Sequence, residues 1–151
     1  MLSHVNKPEA IGAASAALGG FVAFLPWYGY ASGNSHVTVN AFRASLLGDV
    51  FFVAIAAAIL LLLIGRGFVD DVVTPYIPET TAHATAAALA IGSVLVELIL
   101  ARATGRSLSI GIFLALIAAG GLCTAAVLRR LHPDRRRIGR ETLSHEGLIT
   151  P

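Results

Sequence analysis

The stretch that decides the fold is LLGDVFFVAIAAAILLLLIG, residues 46–65, in which Ala54 through Ile64 carries no polar side chain at all. A helix of that length spans about 30 Å, the thickness of a bilayer's hydrocarbon core. Arg66 ends the run. Outward from it, three further apolar blocks predict helices over residues 10–26, 82–101 and 108–128, giving an all-α membrane protein: a four-transmembrane-helix antiparallel bundle forming a single membrane domain over 1–151. Composition agrees. Of 151 residues, 56% are hydrophobic and 13% charged, against about a quarter charged in soluble domains, and mean hydropathy is +0.76.

The connections are unequal. The first block runs into Pro26-Trp27-Tyr28-Gly29-Tyr30, an aromatic group suited to the headgroup level. A cleaved signal peptide is the alternative reading of this block, given Lys7 ahead of it, but the residues before Ser32 lack a clean small-x-small site. Beyond the turn residues Ser32-Gly33-Asn34-Ser35, His36-Val37-Thr38-Val39-Asn40 alternates polar and apolar. That alternation predicts either a short β-hairpin, pairing residues 28–31 with 36–40, or an irregular loop. The second connection, residues 67–81, holds Asp70, Asp71 and Glu79 with Pro75 and Pro78 and reads as a solvated loop, with Phe68, Val69, Val72 and Val73 laid along the membrane surface. The third, Arg102-Ala103-Thr104-Gly105-Arg106, is a tight turn between antiparallel neighbours.

Basic residues set an orientation. With both termini in the cytoplasm, Lys7, Arg66, Arg129, Arg130, Arg135, Arg136, Arg137 and Arg140 lie inside, and only Arg43, Arg102 and Arg106 outside. This asymmetry predicts a multi-pass protein of the cytoplasmic (plasma) membrane and argues against dual topology. The basic tail, residues 129–151, is a lipid anchor: Arg129, Arg130, Arg135, Arg136 and Arg137 each gain about 1 kcal/mol from anionic headgroups. It does not read as a nucleic-acid surface.

Helix association in lipid needs small residues for close approach. Gly12, Ala16 and Gly20 recur in the first helix, Ala84, Ala88 and Gly92 in the third, and Gly111, Ala115 and Ala119 in the fourth. These stripes are expected to make the internal contacts, or to face an oligomer or partner.

Two carboxylates fall inside expected spans, Asp49 and Glu97, and an intramembrane ionisable group is a functional candidate by default. Both lie near the outer face, level with Arg43, Arg102 and Arg106. The five are expected to form an interfacial ion-pair cluster, or, on the sharper reading, Asp49 and Glu97 couple protons or bind substrate. Trp27, Tyr28 and Tyr30 are candidate outer-loop contacts. No catalytic, cofactor-binding or metal-ligating set emerges, so no enzyme is expected. His4, His132 and His145 lie in the termini, His36 in the loop, and His83 starts the third helix alone, so no two share a helix face within a span and a bis-histidine haem site is not supported. Cys123 is the only cysteine and reads as a packing residue. Phosphate-binding loops, nucleophile elbows and zinc-protease motifs are absent; Thr142 and Ser144, after Arg140, offer only a weak phosphorylation context.

Phe24-Leu25-Pro26-Trp27-Tyr28, a polar loop, and Asn40-Ala41-Phe42 leading through Asp49 into an Ala/Leu helix resemble uncharacterised small four-helix membrane proteins of actinobacteria, over residues 10–65. That resemblance implies the same fold and a membrane location and carries over no catalytic residue. A more distant likeness is to claudin-type bundles, whose first extracellular loop is β-structured. Trp27 is present here, but the loop has no cysteine. The function expected from these readings is that of a non-enzymatic accessory or assembly subunit acting through contacts with a membrane protein partner or with itself as a homo-oligomer. The alternative is a small homo-oligomeric transporter or channel using Asp49 and Glu97.

Overall fold

The computed structural model describes residues 7–32, 35–68 and 77–131. The tail arginines Arg135, Arg136 and Arg137, and Asp70 and Asp71 of the second connection, lie outside them. In chain order the elements are helix α1 (Lys7–Val22), strands β1 (Pro26–Ser32) and β2 (Ser35–Asn40), a single turn α2 (Ala41–Ala44), helices α3 (Leu46–Gly65) and α4 (Glu79–Ala103), strand β3 (Ser107–Leu108) and helix α5 (Ile110–Leu131). Three of these helices, α3, α4 and α5, are long and apolar enough to cross a membrane. The shorter α1 packs against α5 and α3, while α4 packs against α3 and α5, so that α1 and α4 face each other across the interior.

Local chemistry sets the helix ends. Ser45, in extended conformation, caps α3 by accepting a hydrogen bond from the Leu47 N–H at 3.1 Å. Asn40 caps α2 through the Arg43 N–H. Gly67 and Gly105 carry positive φ, 73° and 67°. Beyond them the Phe68 N–H reaches the Leu63 carbonyl and the Arg106 N–H reaches Ala101, both at 3.0 Å. Each is a left-handed glycine stop that reuses carbonyls orphaned at a helix end. Pro78, which cannot continue a helix from before, precedes α4. Glu79 therefore opens α4 rather than closing a loop.

The expected hairpin is present. β1 and β2 pair antiparallel with Tyr28 opposite Val39 and Ala31 opposite His36. Nothing in the residue pattern signals β3, which joins the other edge of β1 through Tyr28–Leu108 and Gly29–Ser107. The sheet order is β2-β1-β3. Pro26 consequently starts a strand and does not end a helix: α1 stops at Val22 and the chain turns through Ala23–Leu25.

The interior is lined by small residues. On α5, Gly111, Ala115 and Ala119 are buried as the stripe predicted. On α1 the buried set is Gly12, Ser15, Ala16, Gly19 and Val22, so Gly19 takes the place expected of Gly20. α4 is rotated by about one residue from the expected face. It buries His83, Ala86, Ala87, Ala90, Ser93, Val94 and Glu97, and leaves Ala88 exposed and Gly92 with open space beside it. The reason is polar. His83, Ser93 and Glu97 share one face, and it is cheaper to enclose those three groups than three alanine-sized ones. Outside, Phe21, Val53, Leu60, Leu89, Ile99, Phe113 and Ile117 are exposed, an apolar surface far larger than scattered singletons.

Close approach to backbone is tightest at two glycines. A Cβ at Gly111 would lie 2.5 Å from the Pro26 carbonyl oxygen and 2.8 Å from the Trp27 ring, and one at Gly48 would overlap the Ala41 backbone. Because those neighbours are backbone or a locked ring, Gly111→Ala and Gly48→Ala are each expected to destabilise by about 1–3 kcal/mol. Gly92→Ala, with nothing within 4 Å, should be neutral or gain up to about 1 kcal/mol from helix propensity. Thermal unfolding of the three variants in detergent checks the contrast; equal melting temperatures would contradict the packing.

Candidate functional site

The site lies where the three-stranded sheet meets the ends of α3 and α4. It begins with a register break in β1: Pro26 pairs with Asn40, but Tyr28 pairs with the next residue, Val39, leaving Trp27 as an extra residue. A bulge of this kind interrupts the strict alternation of a strand. Trp27 and Tyr28, adjacent in sequence, are both fully buried. The Trp27 indole N–H donates to the Val22 carbonyl at 3.1 Å, and the ring stands edge-on to Phe51 with centroids 5.3 Å apart. The Trp27 carbonyl in turn accepts from the Ser109 N–H at 2.9 Å, and the Gly29 carbonyl from the Ser107 hydroxyl at 2.6 Å. Through these bonds the sheet is tied to α1, α3 and the start of α5.

Glu97 lies beneath the sheet with 2% of its surface exposed. The Ser45 hydroxyl, already the acceptor that caps α3, donates to Glu97 Oε2 at 2.6 Å. Tyr28 reaches the same residue, its hydroxyl 3.5 Å from the Glu97 backbone carbonyl. The Arg106 guanidinium sits over the Tyr28 ring, 5.7 Å from its centroid, within cation–π range. Burial first, and then the Glu97 carboxyl through hydrogen bonding and charge, push the Tyr28 phenol well above its ordinary range; Arg106 opposes them.

The expected ion-pair cluster of Asp49, Glu97, Arg43, Arg102 and Arg106 is not what the structure brings together. Asp49, Arg43, Arg102 and Arg106 are exposed, and among the described residues no ion pair joins any of the five. Helix rotation explains the separation. Asp49 follows Gly48, which α3 buries, and so points about 100° away from the interior, at the helix N-terminal turn where a carboxylate is favoured. Glu97 lies in the buried row of α4 and finds hydroxyls instead of guanidinium groups. The outer-loop contact residues also divide. Trp27 and Tyr28 are interior and cannot meet a partner, whereas Tyr30 is 45% exposed.

Sequence reasoning missed a second polar group, at the opposite ends of the helices. Arg66 Nε lies 2.6 Å from Glu9 Oε1, joining α3 to α1. Glu79 Oε1 lies 3.6 Å from Arg129 Nη1 and 3.7 Å from His83 Nε2, joining the start of α4 to the end of α5. His83, Arg129, Gly12, Ala58 and Leu122 surround a void of about 10 Å³ there, room for about one water. The signal available in the sequence was opposite charge at helix ends that an antiparallel arrangement brings level. Arg129 and Arg130 stand in the last turn of α5, inside the helix and not in a tail.

No protein-family model, curated protein or solved structure matches the chain.

Ser45→Ala removes a helix cap and the 2.6 Å hydrogen bond to the buried Glu97 carboxyl, so a loss of about 2 kcal/mol is expected. Ser45→Thr, which keeps the hydroxyl, should retain most of it; unfolding in detergent distinguishes them. Because the folded state holds the Tyr28 proton more tightly than the unfolded chain does, its contribution is full below the ordinary phenol value of 10.0 and declines as pH rises beyond it. The melting temperature of the wild type should therefore fall more steeply above that value than that of Tyr28→Phe, and parallel curves would refute the assignment.

Proposed function

We propose that this chain is an integral protein of the plasma membrane with four membrane-crossing helices, α1 included, and that it acts through protein contacts as an accessory or assembly subunit. The single observation that carries the reading is the open edge of β2. β1 lies between β2 and β3 and is tied to the helices, whereas the outer edge of β2 has no neighbouring strand among the described residues. An unpaired edge is a template for strand addition by another chain. His36 and Thr38 on β2 and Tyr30 on β1 are exposed around it.

The charge distribution supports an orientation with both termini inside. Lys7, Arg66, Arg129 and Arg130 gather at the helix ends away from the sheet, and Arg43, Arg102 and Arg106 at the sheet end, so the sheet faces outward under the positive-inside rule. Arginines that follow α5 in the sequence have the charge to suit anionic headgroups. The likeness of residues 10–65 to small actinobacterial membrane proteins fits this placement and supplies no activity.

A partner that pairs with β2 should be lost when the strand edge is blocked and kept when the interior is untouched. Thr38→Pro combined with Tyr30→Ala is expected to reduce a stoichiometric co-purifying membrane protein, or the homo-oligomer, by about tenfold, the loss of two or three interface hydrogen bonds. Affinity purification from native membranes in nanodiscs, with intact mass, reads the result. A monomer without partners in the wild type would overturn the reading.

One observation favours the transporter alternative: Glu97 is a carboxyl buried within an apolar helix, where an ionisable group is a functional candidate. Glu97→Gln and Asp49→Asn should then abolish proton-coupled flux in liposomes, and unchanged flux would reject it.

A further inference from the structure

The seam between α1 and α3 is closed at two points and open between them. Toward the sheet, the Ile55 side chain is seated directly on Gly19, its Cδ1 2.5 Å from where a Cβ would stand. Above that contact Phe24, Phe42 and Phe52 pack tilted or edge-to-face with centroids 5.0 to 6.4 Å apart. At the other end the Glu9–Arg66 ion pair crosses from one helix to the other at 2.6 Å. Between them α1 presents alanines too short to fill the space. The result is a slot of about 220 Å³ lined by Ala13, Ala17, Ile59, Leu62 and Leu63, with Arg66 at its mouth.

We propose that this slot holds one acyl chain of a glycerophospholipid, with the lipid phosphate on Arg66. The proposal rests on the membrane-spanning reading above, because the slot opens on the apolar flank that carries the exposed Ile59 and Leu63. Three features select a lipid. The lining is aliphatic except for a single cation at one end, the polarity of a lipid running from chain to headgroup. Residues 59 to 66 cover about 10 Å of helix, a length that suits part of one chain, whereas a spanning partner helix needs a seam continuous past Ile55 and the phenylalanines. Charge is complementary too. Glu9 takes the Nε edge of Arg66, and the two Nη groups make no hydrogen bond among the described residues. Lys7 and the positive end of α1 offset the Glu9 carboxylate. A guanidinium held on one edge and open on the other is suited to a phosphate oxygen pair.

The test uses the full chain in nanodiscs of phosphatidylglycerol carrying a photoactivatable diazirine in the acyl chain, with adducts mapped by peptide mass spectrometry. Adducts are expected to concentrate on the segments 13–17 and 59–63. Arg66→Gln should lower their yield about tenfold, the worth of a charge-assisted hydrogen bond. Ala17→Leu, which fills the slot from an exposed position, should lower it severalfold, while Ala14→Leu, on the exposed face of α1 beside the slot, should leave it unchanged. Adducts spread evenly over every exposed helix face, equal losses for Ala14→Leu and Ala17→Leu, or protection of the slot by another protein would each overturn the proposal. Alkaline carbonate extraction before illumination separates the two claims. Release into the supernatant would remove the membrane reading and the lipid site together, whereas a retained protein with evenly spread adducts would remove the lipid site alone.

Discussion

A hydroxyl can give one hydrogen and accept two, and Ser45 uses both capacities at once. It accepts from the first turn of α3 and donates to Glu97 of α4, and so one oxygen fixes where α3 begins and where a buried carboxyl ends its search for a donor. The arrangement at the sheet end depends on that carboxyl being enclosed. With Glu97 inside, α4 takes the rotation that also encloses His83 and Ser93, and Tyr28 packs down onto Glu97 with the strand that carries it. A carboxyl with no donor would be among the costliest groups to keep in this interior, which is why so many neighbouring features converge on it.

The two ends of the molecule solve the same problem differently. Near the sheet, the polar contacts are hydroxyl to carboxyl and hydroxyl to carbonyl, sealed under Trp27 and Tyr28. At the opposite end they are ion pairs, Glu9 with Arg66 and Glu79 with Arg129, partly exposed and therefore screened and individually weak. Hydrogen bonds are accordingly concentrated at the sheet, where strands, bulge and helix caps share them. A sheet whose β2 edge has no neighbouring strand among the described residues and a seam with an unfilled slot are different surfaces, the first facing water and the second facing hydrocarbon on the membrane-spanning reading.

The legible parts of the sequence were those governed by a long, repetitive signal. The helix over residues 46–65 begins and ends where its apolar run does, because Ser45 and Gly67 bracket it with a cap and a left-handed stop. The alternation of residues 36–40 offered a hairpin or an irregular loop, and the structure has the hairpin. Less legible was anything set by a single residue out of step: the bulge at Trp27, which turns two adjacent aromatics inward, and the strand of only two residues at Ser107. Asp49 and Glu97 looked equivalent by depth. They differ because depth along a helix says nothing about rotation around it.

By itself, then, the sequence determined where α3 runs, which stretches around it become the apolar helices α4 and α5, and the tight turn between those two, since each of these depends on composition within a local window. Only the tertiary structure decided which face of α4 is interior, that Glu97 meets Ser45 and Tyr28 while Asp49 stays outside, and that Glu9 reaches Arg66. Those are contacts between residues as many as 69 positions apart. Helices rich in alanine and leucine on every side carry almost no preference for one face, so their rotation is settled by the few polar groups that must find each other.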